Sequence, residues 1–215
     1  MADHTLIHKR FKTMVNVLYV LSYIPLAFVA LGILVLLGGI IAVPFIPFAA
    51  IENRLTDLPV TGTYETTGLT LEVTDAYLET IALDQTAILL TLAAFLLYLA
   101  AIAVILFSVN RWLYNLKQGN IFTVRNSRFI EIAAYTVIIL TVIDALADLA
   151  VGYLMMQTFS LAEISSELNE QLVFGVDQLS IEFNLMLLFS GIIIWILAKV
   201  FKYGAFLQEE YDATV

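Results

Sequence analysis

Two aspartates, Asp144 and Asp148, stand four residues apart in the otherwise apolar run VIDALADLA. On an α-helix that spacing puts both carboxylates on one face, with Cβ atoms about 6 Å apart. Such a pair can hold a cation, take up a shared proton or receive a cationic peptide. A carboxylate in hydrocarbon costs at least about 2.5 kcal/mol, so each acid must be hydrated, paired or protonated. The structural alternative is an ion pair with Arg54, or hydrogen bonds to polar groups such as Gln85, Thr86 and Thr91. Both readings stay open at this point.

No other constellation points to catalysis. The chain has no cysteine, and its two histidines, His4 and His8, sit in a polar N-terminal stretch with no third ligand nearby. That spacing fits a solvated tail better than a metal site. There is no Ser/His/Asp set, no Gly-rich phosphate loop and no helical HExxH. The reading is a protein that is not an enzyme and requires no cofactor.

The elements that position the aspartates follow from composition. Of 215 residues, 61% are hydrophobic and 13% charged, and the mean hydropathy is +0.92. A soluble domain carries about 25% charged residues to keep its surface wet; this chain confines its charges to short segments between apolar blocks. Four of those blocks are long enough to span a bilayer, at about 14–43, 84–110, 129–159 and 183–200, since a span needs roughly 20 apolar residues. Pro25 removes a backbone donor within the first block and predicts a kink there. The segment VPFIPF, with Pro44 and Pro47, reads as non-helical chain at the headgroups.

Charge sets the orientation. Lys9, Arg10 and Lys12 precede the first span; Arg111, Lys117, Arg125 and Arg128 separate the second and third; Lys199 and Lys202 close the fourth. Nine of the ten basic residues thus fall on one side, and Arg54 alone on the other. The positive-inside rule then predicts cytoplasmic N- and C-termini, an inner loop at 111–128 and a tail at 201–215. The outer loops, 51–83 and 160–182, together with Asp84 at the head of the second span, take twelve of the nineteen acids. With a net charge of −9, direct binding of nucleic acid is not expected. If Glu131 marks the inner interface, Asp144 lies roughly 20 Å and Asp148 roughly 25 Å further out, in the outer half of a core about 30 Å thick.

Local signals fill in the loops. TGTYETTGLTLEVTD (61–75) alternates as a β-hairpin does. Ser160 and Glu163 form a capping box opening a short amphipathic helix with Leu161, Ile164 and Leu168 on one face. The inner loop should continue the second span as helix, end at Gly119-Asn120 in a left-handed cap, and restart with Asn126 or Ser127 as N-cap. Gly38 and Ala42, with Ala93, Ala94, Ala100, Ala101 and Ala103, allow close helix contacts, within one chain or in a homodimer.

The inner loop NLKQGNIFTVRNSRFIEIAAY and the C-terminal FKYGAFLQEEYDATV resemble a family of bacterial four-span membrane proteins known as a domain of unknown function, DUF2975. The family's G-x-P-F-like turn before a basic residue is matched by Gly119, Phe122 and Arg128. Its tail pattern is matched by Phe201, Gly204, Leu207, Gln208, Glu210, Asp212, Thr214 and Val215. Ile121 stands where proline is common, and Ala213 where a larger apolar residue is usual. The resemblance implies a four-span fold and, because members are often encoded beside a small helix-turn-helix regulator, a cytoplasmic partner of that kind.

The sequence therefore predicts an all-α membrane protein: a four-transmembrane-helix bundle, one membrane domain over 1–215, with a small extracellular β-hairpin and short-helix cap. Its location would be the bacterial plasma membrane, with the lipid bilayer as its first partner. Its expected role is regulatory or sensory, with Gly119, Phe122, Arg125, Arg128, Phe201, Gly204, Leu207, Gln208, Glu210 and Asp212 as the partner surface. The alternatives are a small cation- or proton-coupled transporter using Asp144 and Asp148, or a receptor or immunity protein for a cationic peptide.

Overall fold

The structure, a computed structural model, describes residues 2–48, 51, 63–66, 69–72, 82–119, 121–159 and 183–214; the side chains of 2–9, 63–66, 69–72, 159 and 212 are outside that description. Its helices are α1 (Ala2–Leu21), α2 (Tyr23–Ala42), α3 (Gln85–Lys117), α4 (Val124–Phe159) and α5 (Leu185–Thr214). Among the described residues four helical segments are long and apolar enough to cross a membrane: Arg10–Phe45, Gln85–Lys117, Val124–Thr158 and Leu185–Tyr211. Two short strands, β1 (Thr63–Thr66) and β2 (Leu69–Glu72), pair antiparallel with Thr63 opposite Glu72 and Thr66 opposite Leu69. The expected short helix at 160–182, Arg54 and the Gly119-Asn120 turn's second residue lie outside the described residues.

The first span is interrupted three residues before Pro25, at Ser22. Proline has no N–H to give the Leu21 carbonyl, so the ladder breaks upstream of the ring. Ser22 uses the gap: its hydroxyl donates to the Tyr19 carbonyl at 2.7 Å and accepts from Asn110 Nδ2 at 2.8 Å. α2 ends in a 3-10 turn over Val43–Phe45, and Ile46 is extended; the segment expected to be non-helical thus keeps one tight helical turn before the chain extends ahead of Pro47.

One helix runs through two segments of the sequence reading, and one expected cap moves. The last span and the tail are one helix, because nothing between Lys199 and Thr214 breaks it: the stretch has no proline, and Gly204 alone costs about 1 kcal/mol of propensity. The N-cap of α4 is Thr123, not Asn126 or Ser127. Helix starts at Val124, and Thr123 Oγ1 accepts the Asn126 N–H at 3.2 Å, which places Asn126 at the third helical position.

The chain divides into two compact units. One comprises Met1–Leu36, Phe95–Ala145 and Glu182–Val215; the other comprises Leu37–Ala94 and Leu146–Ile181. In the first, Val15, Leu113 and Leu116 form a buried cluster flanked by Phe11, Tyr19, Val109 and Trp112. Gly191 brings α5 against Ala134 and Ile138 of α4; Gly191, Ala198 and Ala205 are buried at seven-residue spacing along α5, the period of a packed seam. In the second unit, the Thr91 hydroxyl is shared between the carbonyls of Ala87 (2.9 Å) and Ala150 (3.1 Å). The Ala82 N–H reaches the Thr158 carbonyl at 3.3 Å, and Asp84 caps α3 through the Thr86 N–H at 2.8 Å.

Candidate functional site

The turn between α3 and α4, at 118–123, depends on Gly119 and on Asn126 just after it. Gly119 has φ 88°, a backbone conformation costly for other residues, and its N–H closes on the Leu116 carbonyl at 3.0 Å. The turn is then pinned by Asn126, which is fully buried. Its Oδ1 accepts from Asn115 Nδ2 of α3 at 2.7 Å, and its Nδ2 donates to the Ile121 carbonyl at 3.0 Å. One side chain thereby ties the turn to the end of α3 and the start of α4.

The pinned turn presents Phe122 to α5. A Cβ placed on Gly204 would lie 2.9 Å from Phe122 Cδ1, so glycine is what lets the ring sit flat on the helix. Phe201 stacks beside it, 5.5 Å from Phe122 and 6.2 Å, edge-on, from Trp112 of α3. Gly119, Phe122, Phe201 and Gly204 are thus gathered into the root that anchors the last turns of α5. The remaining tail residues are not gathered: Leu207, Gln208 and Glu210 are exposed, as are Tyr203, Phe206 and Tyr211. Asp212 lies on the same helix. Arg125 and Arg128 are exposed on the first turns of α4.

One turn into the apolar part of the chain, α4 and α5 share a polar quartet. Lys199 pairs with Glu131 at 2.5 Å, Trp195 Nε1 donates to the Tyr135 hydroxyl at 3.2 Å, and that hydroxyl faces Glu131 Oε1 at 3.4 Å. The Lys199 ammonium also lies 5.1 Å from the Trp195 ring centroid. Sequence reasoning took Glu131 only as a depth marker. The matching i, i+4 spacings, Glu131 with Tyr135 and Trp195 with Lys199, carried the missed signal, but their pairing needs the helix register.

The aspartates part company. Asp144 receives Asn184 Nδ2 at 3.4 Å, while Asn184 Oδ1 caps α5 by accepting the Leu187 N–H at 3.2 Å. The cap occupies the amide oxygen, which leaves the NH2 group for the carboxylate. Asp144 therefore sits by the amino end of a helix, where negative charge is favoured. Asp148, in the second unit, is exposed and has no hydrogen bond or ion pair among the described residues. Of the alternative partners, the Thr91 hydroxyl is engaged elsewhere, Gln85 and Thr86 are exposed, and Arg54 lies outside the described residues. Among the described residues no three His, Asp or Glu side chains gather where they could share a metal ion.

The family model described as "Protein of unknown function (DUF2975)" matches residues 69–215. That span includes the α3–α4 turn, the α4–α5 quartet and the terminal helix. No curated protein and no solved structure matches the chain.

Proposed function

The chain belongs to the DUF2975 family, and we propose that it is an integral membrane regulatory protein whose inner turn and terminal helix engage a cytoplasmic partner, a small helix-turn-helix regulator. The observation that carries this reading is the reach of α5. Its 30 residues extend about 45 Å, whereas a hydrocarbon core is about 30 Å thick. Its last turns therefore stand clear of the apolar layer.

Those turns combine apolar and acidic groups. Tyr203, Leu207 and Tyr211, at i, i+4 and i+8, are 64%, 47% and 69% exposed, and Glu209 and Glu210 are exposed beside them. An aromatic and acidic helix face complements a basic DNA-binding surface and competes with DNA for it. Phe201 and Gly204, spent on the root, hold this face at a defined angle. The distribution of basic residues supports a cytoplasmic location for both termini and the inner turn.

The test is a binding assay with the full-length chain in lipid nanodiscs and a purified small helix-turn-helix regulator of the kind often encoded beside members of the family. Binding weakens at least about 10-fold in a Tyr203→Ala, Leu207→Ala, Tyr211→Ala triple variant, as expected when the central apolar anchors of an interface are lost. Adding the wild-type chain releases the regulator from its DNA. Undiminished binding by the triple variant would sink the reading.

A further inference from the structure

We propose that the inner end of the α4–α5 groove is a binding site for the headgroup of an anionic phospholipid, held by Arg128 and Lys202 beside the Trp195–Tyr135 pair. The inference goes beyond the partner reading and moves Arg128 from a protein interface to a lipid one.

The register of the two helices places the cations. Glu131 meets Lys199 at 2.5 Å, and Tyr135 meets Trp195 at 3.2 Å, four residues along one helix and four back along the other. Three residues in the opposite sense bring Arg128 level with Lys202. Glu131 lies within electrostatic reach of Lys202 as well as Lys199. Lys199 spends its charge on Glu131, which leaves Arg128 and Lys202 as two exposed cations at the mouth of the groove. Among the described residues the Lys199–Glu131 contact is the one ion pair.

What surrounds the cations fits a lipid. Trp195 and Tyr135 form the kind of aromatic pair that settles at headgroup depth, apolar ring inward and polar tip outward. Just beyond them α5 exposes Phe189, Ile192 and Ile193, a surface for acyl chains. Two cations at the rim of an apolar groove between helices match a phosphate followed by hydrocarbon, the chemistry of an anionic headgroup. Free phosphate would satisfy the cations and leave the groove empty.

The chain supplies its own reporter, because Trp112 and Trp195 are its only tryptophans. The Trp112 indole N–H is buried without a hydrogen-bond partner among the described residues, so Trp112→Phe sacrifices no hydrogen bond and leaves Trp195 alone to emit. The full-length variant is reconstituted in phosphatidylcholine vesicles carrying equal small fractions of brominated-chain phosphatidylglycerol or brominated-chain phosphatidylcholine. Phosphatidylglycerol should quench Trp195 with an apparent affinity about 10-fold higher, in keeping with two cations near the surface. Arg128→Gln with Lys202→Gln should abolish that preference, while Arg128→Lys with Lys202→Arg retains it and Lys12→Gln leaves it unchanged. Inorganic phosphate at constant ionic strength should not compete. Equal quenching by the two lipids, a preference surviving the double glutamine variant, an equal loss with Lys12→Gln, loss with the charge-conserving pair, or displacement by phosphate would each overturn the assignment. No second protein is present, so this outcome is independent of the partner reading.

Discussion

Gly191 lies so close to Ile138 that a Cβ at position 191 would come within 2.6 Å of Ile138 Cγ1 and 3.1 Å of its backbone nitrogen. Backbone cannot swing aside as a side chain can, so Gly191→Ala should destabilise the chain by about 1–3 kcal/mol. Gly204→Ala meets only the Phe122 ring, which is 44% exposed and free to tilt, and should cost below about 1 kcal/mol. At Gly38 a Cβ meets nothing within 4 Å, so alanine there is neutral or slightly stabilising. Thermal unfolding in mild detergent, followed by circular dichroism, reads the order; equal losses at all three sites would contradict this packing.

Asn126 is the second test. Truncation to alanine leaves Asn115 Nδ2 and the Ile121 carbonyl without the partners they have at 2.7 and 3.0 Å. The orphaned Asn115 amide is buried and costs about 1–3 kcal/mol, whereas the carbonyl of the exposed Ile121 can turn to water, so Asn126→Ala should cost about 1–3 kcal/mol. Asn126→Asp keeps the acceptor, loses the donor and buries a charge against a carbonyl, so it should be at least as damaging. Proteolysis at 118–123 should rise in both variants, and an unchanged cleavage rate would count against the staple.

Asn184 and Asp144 permit a swap. Asn184→Asp keeps the cap on α5 but sets two carboxylates 3.4 Å apart. Adding Asp144→Asn should restore stability, because the introduced amide then donates to the introduced carboxylate. The coupling should be about 0.5–1 kcal/mol, small because the contact is long and exposed. A double-mutant cycle on unfolding temperature measures it; additive effects would mean the contact carries no energy.

For Glu131 and Lys199, exposure limits the energy: their side chains are 23% and 43% exposed. Removing either charge should lower the unfolding temperature only slightly, with the loss shrinking as salt rises. The reversed pair, Glu131→Lys with Lys199→Glu, should recover most of the loss. Stability measured in low and high salt separates this pair from a packing effect.

The terminal helix shows how one motif can serve two ends. The letters shared with the family along the tail read as a single surface in the sequence. Packing divides them: Phe201 and Gly204 turn inward to Phe122 and Trp112, while Leu207, Gln208 and Glu210 stay outside. The tail pattern cannot make that division, because which side of a helix is inward depends on a turn some eighty residues earlier in the chain.

What the sequence determined by itself was local. Four apolar blocks of spanning length, the end of α3 just before Gly119 and the end of the α-helix at VPFIPF follow from hydropathy, backbone freedom and proline chemistry within a few residues. What the tertiary structure decided was every partnership across distance. Asp144 meets Asn184, forty residues on; Glu131 meets Lys199, sixty-eight residues on; and Asn126 is buried as a staple while Thr123, three residues earlier, takes the cap. The physical reason is register: a helix's own periodicity fixes which residues share a face, but only packing against another helix decides which faces meet and at what height.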